Sequence, residues 1–223
     1  MTKQERIEKM KADLIRMSEI ENDLYENGYQ DQEIRTIAGV DEVGRGPLAG
    51  PVVTAAVILP QGFDLLGVND SKKLSEKRRE ELYEKIMETA LAVSIGMRDW
   101  QRIDEINILN ATREAMTDAI RNLPLSPDIV LIDALTLDLP EIPQMPLVKG
   151  DSRSISIAAA SIIAKVTRDR MMVEYAGQYP GYAFEKNKGY GTKAHYEGLD
   201  RLGACPIHRR SFLVKYAAKR KKP

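Results

Sequence analysis

The chain has 223 residues, 43% of them hydrophobic and 30% charged, enough for one good-sized domain with a buried core. Lys+Arg and Asp+Glu are both 33, so net charge gives no support to nucleic-acid binding, and any such role rests on local patches. The only cysteine, Cys205, excludes an intrachain disulfide and a multi-cysteine zinc site, and no apolar run approaches the ~20 residues of a membrane span.

The first ten residues, MTKQERIEKM, are too charged for a signal peptide, so a cytoplasmic protein is expected. Residues 2–27 read as one amphipathic helix. Ile7, Met10, Leu14, Met17 and Ile20 or Leu24 recur at three- and four-residue steps among Lys, Glu and Arg. Gly28 and the polar Gln30-Asp31-Gln32-Glu33 mark its stop. Residues 1–35 are thus an appendage, 36–204 the main domain, and 205–223 a basic C-terminal segment, helical in part.

Residues 36–43 and 52–59 read as strands, and the short 44–51 connection favours antiparallel pairing. Residues 69–73, NDSKK, form a polar loop. Ser75 then caps a helix to about residue 89, with Leu82, Ile86 and Met87 facing inward. Residues 92–97 are a third strand. Residues 104–122 are a helix whose apolar stripe includes Ile108, Ala111, Ala115 and Ile120. Residues 128–133, DIVLID, form a near-continuous apolar strand ending in an acid, which suits a strand covered on both faces. Residues 145–148 are a short fifth strand. Residues 152–175 are a long helix whose small, apolar centre, IAAASIIA, would approach the sheet closely. A glycine- and aromatic-rich loop at 179–192 precedes a helix at 193–202. The order of elements indicates an α/β domain with a mixed sheet.

Four acids fall at strand ends: Asp41 and Glu42 near the end of the first strand, Asp133 at the end of the fourth, and Asp151 just past the fifth. The carboxyl edge of an open α/β sheet is where a ligand crevice forms. Side chains of adjacent strand residues point to opposite faces, so Asp41 and Glu42 share a site only where the strand ends or bends between them; Gly44 makes a bend cheap. Four such carboxylates would repel one another strongly without a cation. Two divalent ions about 4 Å apart would neutralise them and clamp both oxygens of a phosphoryl displacement. Gly44-Arg45-Gly46 forms a loop that brings backbone close to an anionic ligand. Taken singly, each has a plainer explanation: Asp151 a helix N-cap, Asp133 a turn residue, Asp41 and Glu42 solvated charges, the loop an ordinary tight turn.

The blocks AGVDEVGRGPLAGPVV, NDSKKLSEKRRE, IDEINILNATREAM, LIDAL, KGDSRSISIAAASIIAKVTRDR, KGYGTKAHYEGL and HRRSF, in that order, resemble type 2 ribonucleases H, the ribonuclease HII family. The match covers about residues 36–212; the helical segment before it lies outside. The resemblance implies a ribonuclease H-like fold with a central five-stranded mixed sheet. It implies a metal-dependent endonuclease that cleaves RNA in RNA–DNA hybrids and duplex DNA containing even one ribonucleotide. Cleavage would fall on the 5′ side of the ribonucleotide, leaving 3′-hydroxyl and 5′-phosphate ends. Asp41, Glu42, Asp133 and Asp151 would carry two Mn²⁺ or Mg²⁺ ions. Gly44, Arg45 and Gly46 would sense the step where RNA meets DNA, and Tyr190 of the KGYGT block would stack there. Without the resemblance, Tyr190 is a packed loop aromatic.

Further expected contacts are Ser71 and Lys72 in the NDSKK loop, Ser152 and Ser154 at a helix start, and Lys188 and Thr192 flanking Tyr190. Exposed turn, plain capping and solvated loop are their alternatives. His195 and His208 read as structural or surface residues rather than metal ligands, since hard cations prefer oxygen; Trp100 reads as core and Cys205 as inert. The 219–222 run, KRKK, is a solvated end or a grip on duplex backbone. A monomer is the default. The rival assignments are a DNA nuclease or resolvase of the same fold, and a non-catalytic hybrid-binding module.

Overall fold

The structure, a computed structural model, describes residues 2–220. Its strands are β1 (Ile37–Val43), β2 (Val52–Ile58), β3 (Ala92–Arg98), β4 (Ile129–Asp133) and β5 (Gln144–Leu147), side by side in the order β3-β2-β1-β4-β5. β1 pairs antiparallel with β2 and parallel with β4, and β4 pairs parallel with β5. The carboxyl ends of β1, β4 and β5 therefore share one edge.

Strand alternation divides the core. Ala38, Val40, Ala56, Ile58, Val130 and Ile132 face α4 (Trp100–Arg121), where Met116, Ala119 and Ile120 meet them. Residues of the other parity face α5 (Ile155–Gln178): Ile37, Ile129 and Leu131 pack on Ile157, and Ala55 and Val57 on its alanines. α3 (Glu76–Thr89) lies beside α5 through Leu82 and Ile86. The small centre of α5 meets a small residue on the sheet, because a Cβ on Gly39 would collide with the Ser156 carbonyl. The helix thus lies against the strand that carries Asp41.

Five expectations change in detail. Residues 2–27 form two helices, α1 (Lys3–Met17) and α2 (Glu19–Asn27), broken where the Ser18 hydroxyl donates to the Leu14 carbonyl at 2.9 Å. Met17 and Leu24 bury into different clusters of the sheet, so the break lets each helix follow the curved surface. Met87 is 45% exposed rather than inward; Leu82 and Ile86 alone form the buried stripe of α3. α4 begins at Trp100 behind the Asp99 cap, not at residue 104, and kinks at Asn107, whose side chain accepts the amides of Leu109 and Asn110. α5 begins at Ile155 rather than residue 152, behind a separate 3₁₀ turn at Gly150–Ser152. The 179–192 loop contains a short helix, α6 (Phe184–Asn187).

α7 (Lys193–Leu202) and α8 (Arg210–Arg220) complete the chain around a satellite cluster of Met172, Tyr182, Phe184, Leu199 and Ile207. Trp100 is half-buried at its rim, edge-on to Tyr175 with ring centres 6.0 Å apart. Of the basic run at 219–222, Lys221 and Lys222 lie outside the described residues. Among the described residues, no helix is long and apolar enough to cross a membrane.

Candidate active site

Asp41 stands on β1 with the parity of Ile37 and Gly39, so it points at α5, where the Ser161 hydroxyl hydrogen-bonds its carboxylate. The β1–β4 ladder ends at Val40 and Ile132. Asp133 follows one residue later on the same face, and its Oδ1 accepts the Gly150 amide at 2.8 Å. That bond ties the end of β4 to the turn carrying Asp151. Lys149 enters the turn in the left-handed conformation (φ 56°), which swings the chain back across the sheet edge. Asp151 is buried there, and its Oδ2 lies 3.8 Å from the Lys72 ammonium. The N-cap of α5 is Ser154, so Asp151 does not cap.

Glu42 arrives differently from the expectation. β1 pairs with β2 without a break through Val43, so no bend separates Asp41 from Glu42. On its other side β1 has already lost β4, and this opening brings the Glu42 charge within influence of Asp133 and Lys72. Arg45 lies 3.5 Å from Glu42 Oε1.

The electrostatics are those of crowded like charges. Burial first, then the charges of Glu42 and Asp133, push the Asp41 carboxyl well above the usual range. Burial outweighs Arg45 at Glu42, which is raised too. Burial raises Asp151, with Asp70 and Asp133 adding to it. Burial works against the Lys72 ammonium, but Asp41, Asp151, Asp70 and Asp133 outweigh it and hold it above the ordinary lysine value. A cation is already drawn into this cluster from the NDSKK loop.

The other expected contacts divide. Tyr190 is 43% exposed, and its ring edge lies 3.6 Å from where a Cβ on Gly46 would sit, so the tyrosine and the Gly44-Arg45-Gly46 loop form one surface. Arg45 is exposed, and Lys72 projects from the NDSKK turn. Ser152 is half-buried, its hydroxyl on the Lys149 carbonyl at 3.0 Å. Ser71 is buried, and its hydroxyl meets Ser161 at 2.8 Å, one link behind Asp41. Ser154 is buried as the α5 cap, and Thr192 caps α7. Lys188 folds back onto the Glu185 carbonyl at 2.5 Å. Ser71 and Ser154 are buried, Lys188 is turned onto backbone, and Thr192 is exposed with its hydroxyl engaged as a cap. His195 and His208 are buried and bonded to each other, Nε2 to Nε2, at 2.9 Å.

Three contributors escaped the sequence reasoning. Asp70 adds a fifth negative charge next to Asp151. Ser161 links Asp41 to Ser71. Glu21 of α2 is buried, and it accepts the Ser154 hydroxyl at 2.5 Å and the Ser156 amide at 3.0 Å, with its second oxygen unpartnered. Glu21 sits four residues after Met17 on the apolar stripe, and a carboxylate there was the available signal.

An all-oxygen carboxylate set suits hard divalent cations. Among the described residues, no three such side chains already stand gathered around a point where an ion would fit. Asp41 is held by Ser161 and the Glu42 amide, Asp133 by Gly150, and Asp151 by Lys72. An ion held by these side chains would have to replace those partners. Burial first, and then neighbouring carboxylates, disfavour the charged forms of Asp41, Glu42 and Asp151, an imbalance that a cation would relieve.

The sequence model of the family described as Ribonuclease HII matches residues 38–215. Ribonuclease HII of Ligilactobacillus salivarius is 59% identical over 207 residues, covering 93% of this chain and 79% of that protein. Ribonuclease HII of Enterococcus faecalis is 61% identical over 196 residues, covering 88% and 74%. Among solved structures, ribonuclease H2 from Pyrococcus horikoshii OT3 superposes with a TM-score of 0.70 at 28% identity, covering 84% of this chain and all of that one.

Proposed function

The chain belongs to the ribonuclease HII family and is a metal-dependent ribonuclease H, and from that premise we propose its substrate and its chemistry. It hydrolyses the phosphodiester on the 5′ side of ribonucleotides, both in RNA–DNA hybrids and as single ribonucleotides within duplex DNA. The products are 3′-hydroxyl and 5′-phosphate ends. Asp41, Glu42, Asp133 and Asp151 hold two divalent ions, Mg²⁺ or Mn²⁺. The observation that carries this is the convergence of acids from β1, β4 and the turn after β5 on one sheet edge, where burial and their own charges hold Asp41, Glu42 and Asp151 protonated beyond the usual range.

When bound, the ions would supply Lewis acidity, lowering the pKa of water and offsetting charge on a leaving oxygen. The side chains do the rest. Asp133 keeps the Asp151 turn in register through Gly150. Ser161 and Ser71 fix the approach of Asp41. The 2′-hydroxyl is the group that separates RNA from DNA, and it is small and uncharged. Reading it takes backbone close to the sugar, which the exposed Gly46 permits while Gly44 turns the chain at φ +97°, and the exposed Tyr190 ring stacks on the neighbouring nucleotide. Arg45, Lys72 and Ser152 meet phosphate. Ser71, Ser154 and Lys188 hold the turns behind them, and Thr192 caps α7 beside the Tyr190 loop. We place the enzyme in the cytoplasm as a monomer, removing misincorporated ribonucleotides and RNA primers.

The test is mapping of cuts on an end-labelled DNA duplex with and without one ribonucleotide, in Mn²⁺ and in Mg²⁺. One cut on the 5′ side of the ribonucleotide, and none in the all-DNA control, is expected. Equal cutting of both duplexes would refute the substrate assignment.

A further inference from the structure

Resting on the ribonucleotide-directed activity above, we propose that Arg209 is a positioning residue that aims the amides of the Gly44-Arg45-Gly46 loop at the substrate. Arg168 locks that loop to the Tyr190 loop. Together they set how sharply the enzyme recognises a ribonucleotide.

Both arginine side chains are wholly buried. The nearest acids are committed elsewhere: Asp169 pairs with Lys165 at 2.6 Å and Arg79 at 3.9 Å, and Asp104 accepts the amides of Arg210 and Ser211. The guanidiniums turn to backbone carbonyls instead. Arg209 donates to Gly44 at 2.6 Å, to Arg45 at 3.0 Å, and twice to Gly50, at 2.8 and 3.0 Å. Arg168 donates to Ala49 at 3.1 Å, Pro51 at 2.9 Å and Lys188 at 2.9 Å. A buried charge is tolerated only when its donors are satisfied, and here six carbonyls satisfy two forks.

Peptide planarity then dictates the other side of the loop. In a trans peptide the C=O and the following N–H point in opposite directions, and the chain has no cis peptide. Arg209 draws the carbonyls of Gly44 and Arg45 inward, so the amides of Arg45 and Gly46 point away from it. Among the described residues neither amide has an acceptor. Two unused donors on the side of the loop away from Arg209 can receive an oxygen-rich ligand. They adjoin Glu42 through Arg45 and Tyr190 through Gly46.

Arg168 supplies the registration. It bonds both the 44–51 connection and Lys188, two residues before Tyr190, while the Leu48 amide donates to the Gly189 carbonyl at 2.8 Å. Gly44 has φ +97°, and a Cβ there would collide with the Arg168 side chain. The donor pair and the stacking ring therefore hold one fixed spacing. A lysine cannot replace either arginine, because one ammonium lacks the planar fork that spans several carbonyls.

The experiment has two arms. In the first, Arg209→Lys is compared with the unmodified enzyme on the single-ribonucleotide duplex and on a long RNA–DNA hybrid. We expect kcat on the single ribonucleotide to fall at least tenfold, KM to change less than threefold, and cuts to spread to neighbouring steps. An unchanged cut position with an unchanged ratio between substrates overturns the proposal, as does an equal loss on both substrates. In the second arm, which needs no variant, hydrogen exchange of the unmodified protein is followed in EDTA. The Arg45 and Gly46 amides are expected to exchange fast in the free protein and to slow with the ribonucleotide duplex but not with all-DNA. Slow exchange in the free protein, or equal protection by both duplexes, overturns it. If the unmodified enzyme itself ignores the ribonucleotide, the substrate assignment fails; if it cuts correctly while these tests fail, only the role of Arg209 falls.

Discussion

The His195–His208 pair ties the fold to the candidate stacking residue, and acid should undo it. His195 Nδ1 lies 2.9 Å from the Tyr190 carbonyl, so it must donate. In neutral His195, Nε2 then accepts, and His208 Nε2 donates to it across 2.9 Å. His208 Nδ1 in turn accepts the Cys205 amide at 2.9 Å. A second proton on His195 would set N–H against N–H at the centre of this chain. Burial first, and the neighbouring His195 second, push the His208 imidazole down to about 4 from 6.5. Its folded value lies below its unfolded value, so the stabilisation is complete above pH 6.5 and is lost as pH falls toward 4. Linkage gives a loss of about 1.4 kcal/mol by pH 5.5 and about 2 kcal/mol by pH 5. The assay is urea unfolding at pH 7.5, 5.5 and 5 for the unmodified protein and His208→Gln, which keeps a donor and an acceptor. The advantage of the unmodified protein should shrink by about those amounts. Parallel pH profiles for the two proteins would refute the buried, neutral assignment.

Asp133→Asn should abolish cutting, by at least about a hundredfold, while the affinity for the ribonucleotide duplex in EDTA changes less than threefold, measured by fluorescence anisotropy. Glu21→Gln keeps an acceptor for Ser154 and Ser156 but removes a carboxylate that burial holds above the ordinary range. A raised carboxyl costs stability as pH rises, so the melting temperature of this variant should gain on the unmodified protein between pH 5 and 8; a constant difference would count against a buried charge. Gly39→Ala puts a methyl into the Ser156 backbone, and overpacking of about 1–3 kcal/mol should lower the melting temperature by several degrees. An unchanged melting temperature would mean that α5 does not rest on β1 as described.

The sheet and its acids were readable because each rests on a local rule. Alternation and apolar runs mark β1, β2 and β4, and Asp133 ends an apolar run that has to be a covered strand. Parallel pairing of β1 and β4 then brings Asp41 and Asp133 to one edge. What local rules miss is the partner. Ser71 reads as a turn hydroxyl and Ser154 as a helix-start phosphate contact or cap, and their burial escapes the sequence because Ser161 and Glu21, which engage them, are 90 and 133 residues away. Arg168 and Arg209 sit among ordinary basic residues, and their carbonyl partners leave no mark in sequence. One clue was present: Ala160, Ala164, Arg168 and Met172 recur every four residues on the buried face of α5, so an arginine stands where a hydrophobe belongs. Asn107 hid its kink because a side-chain amide caps the second half of α4 from within what reads as one period.

Manganese-soaked crystals of the unmodified protein, examined by anomalous diffraction, bear most directly on the chemistry. Two peaks bounded by Asp41, Glu42, Asp133 and Asp151, with Lys72 withdrawn from Asp151, are the expected result. Ions bound elsewhere, or these four carboxylates still on their present hydrogen bonds at saturating manganese, would contradict it.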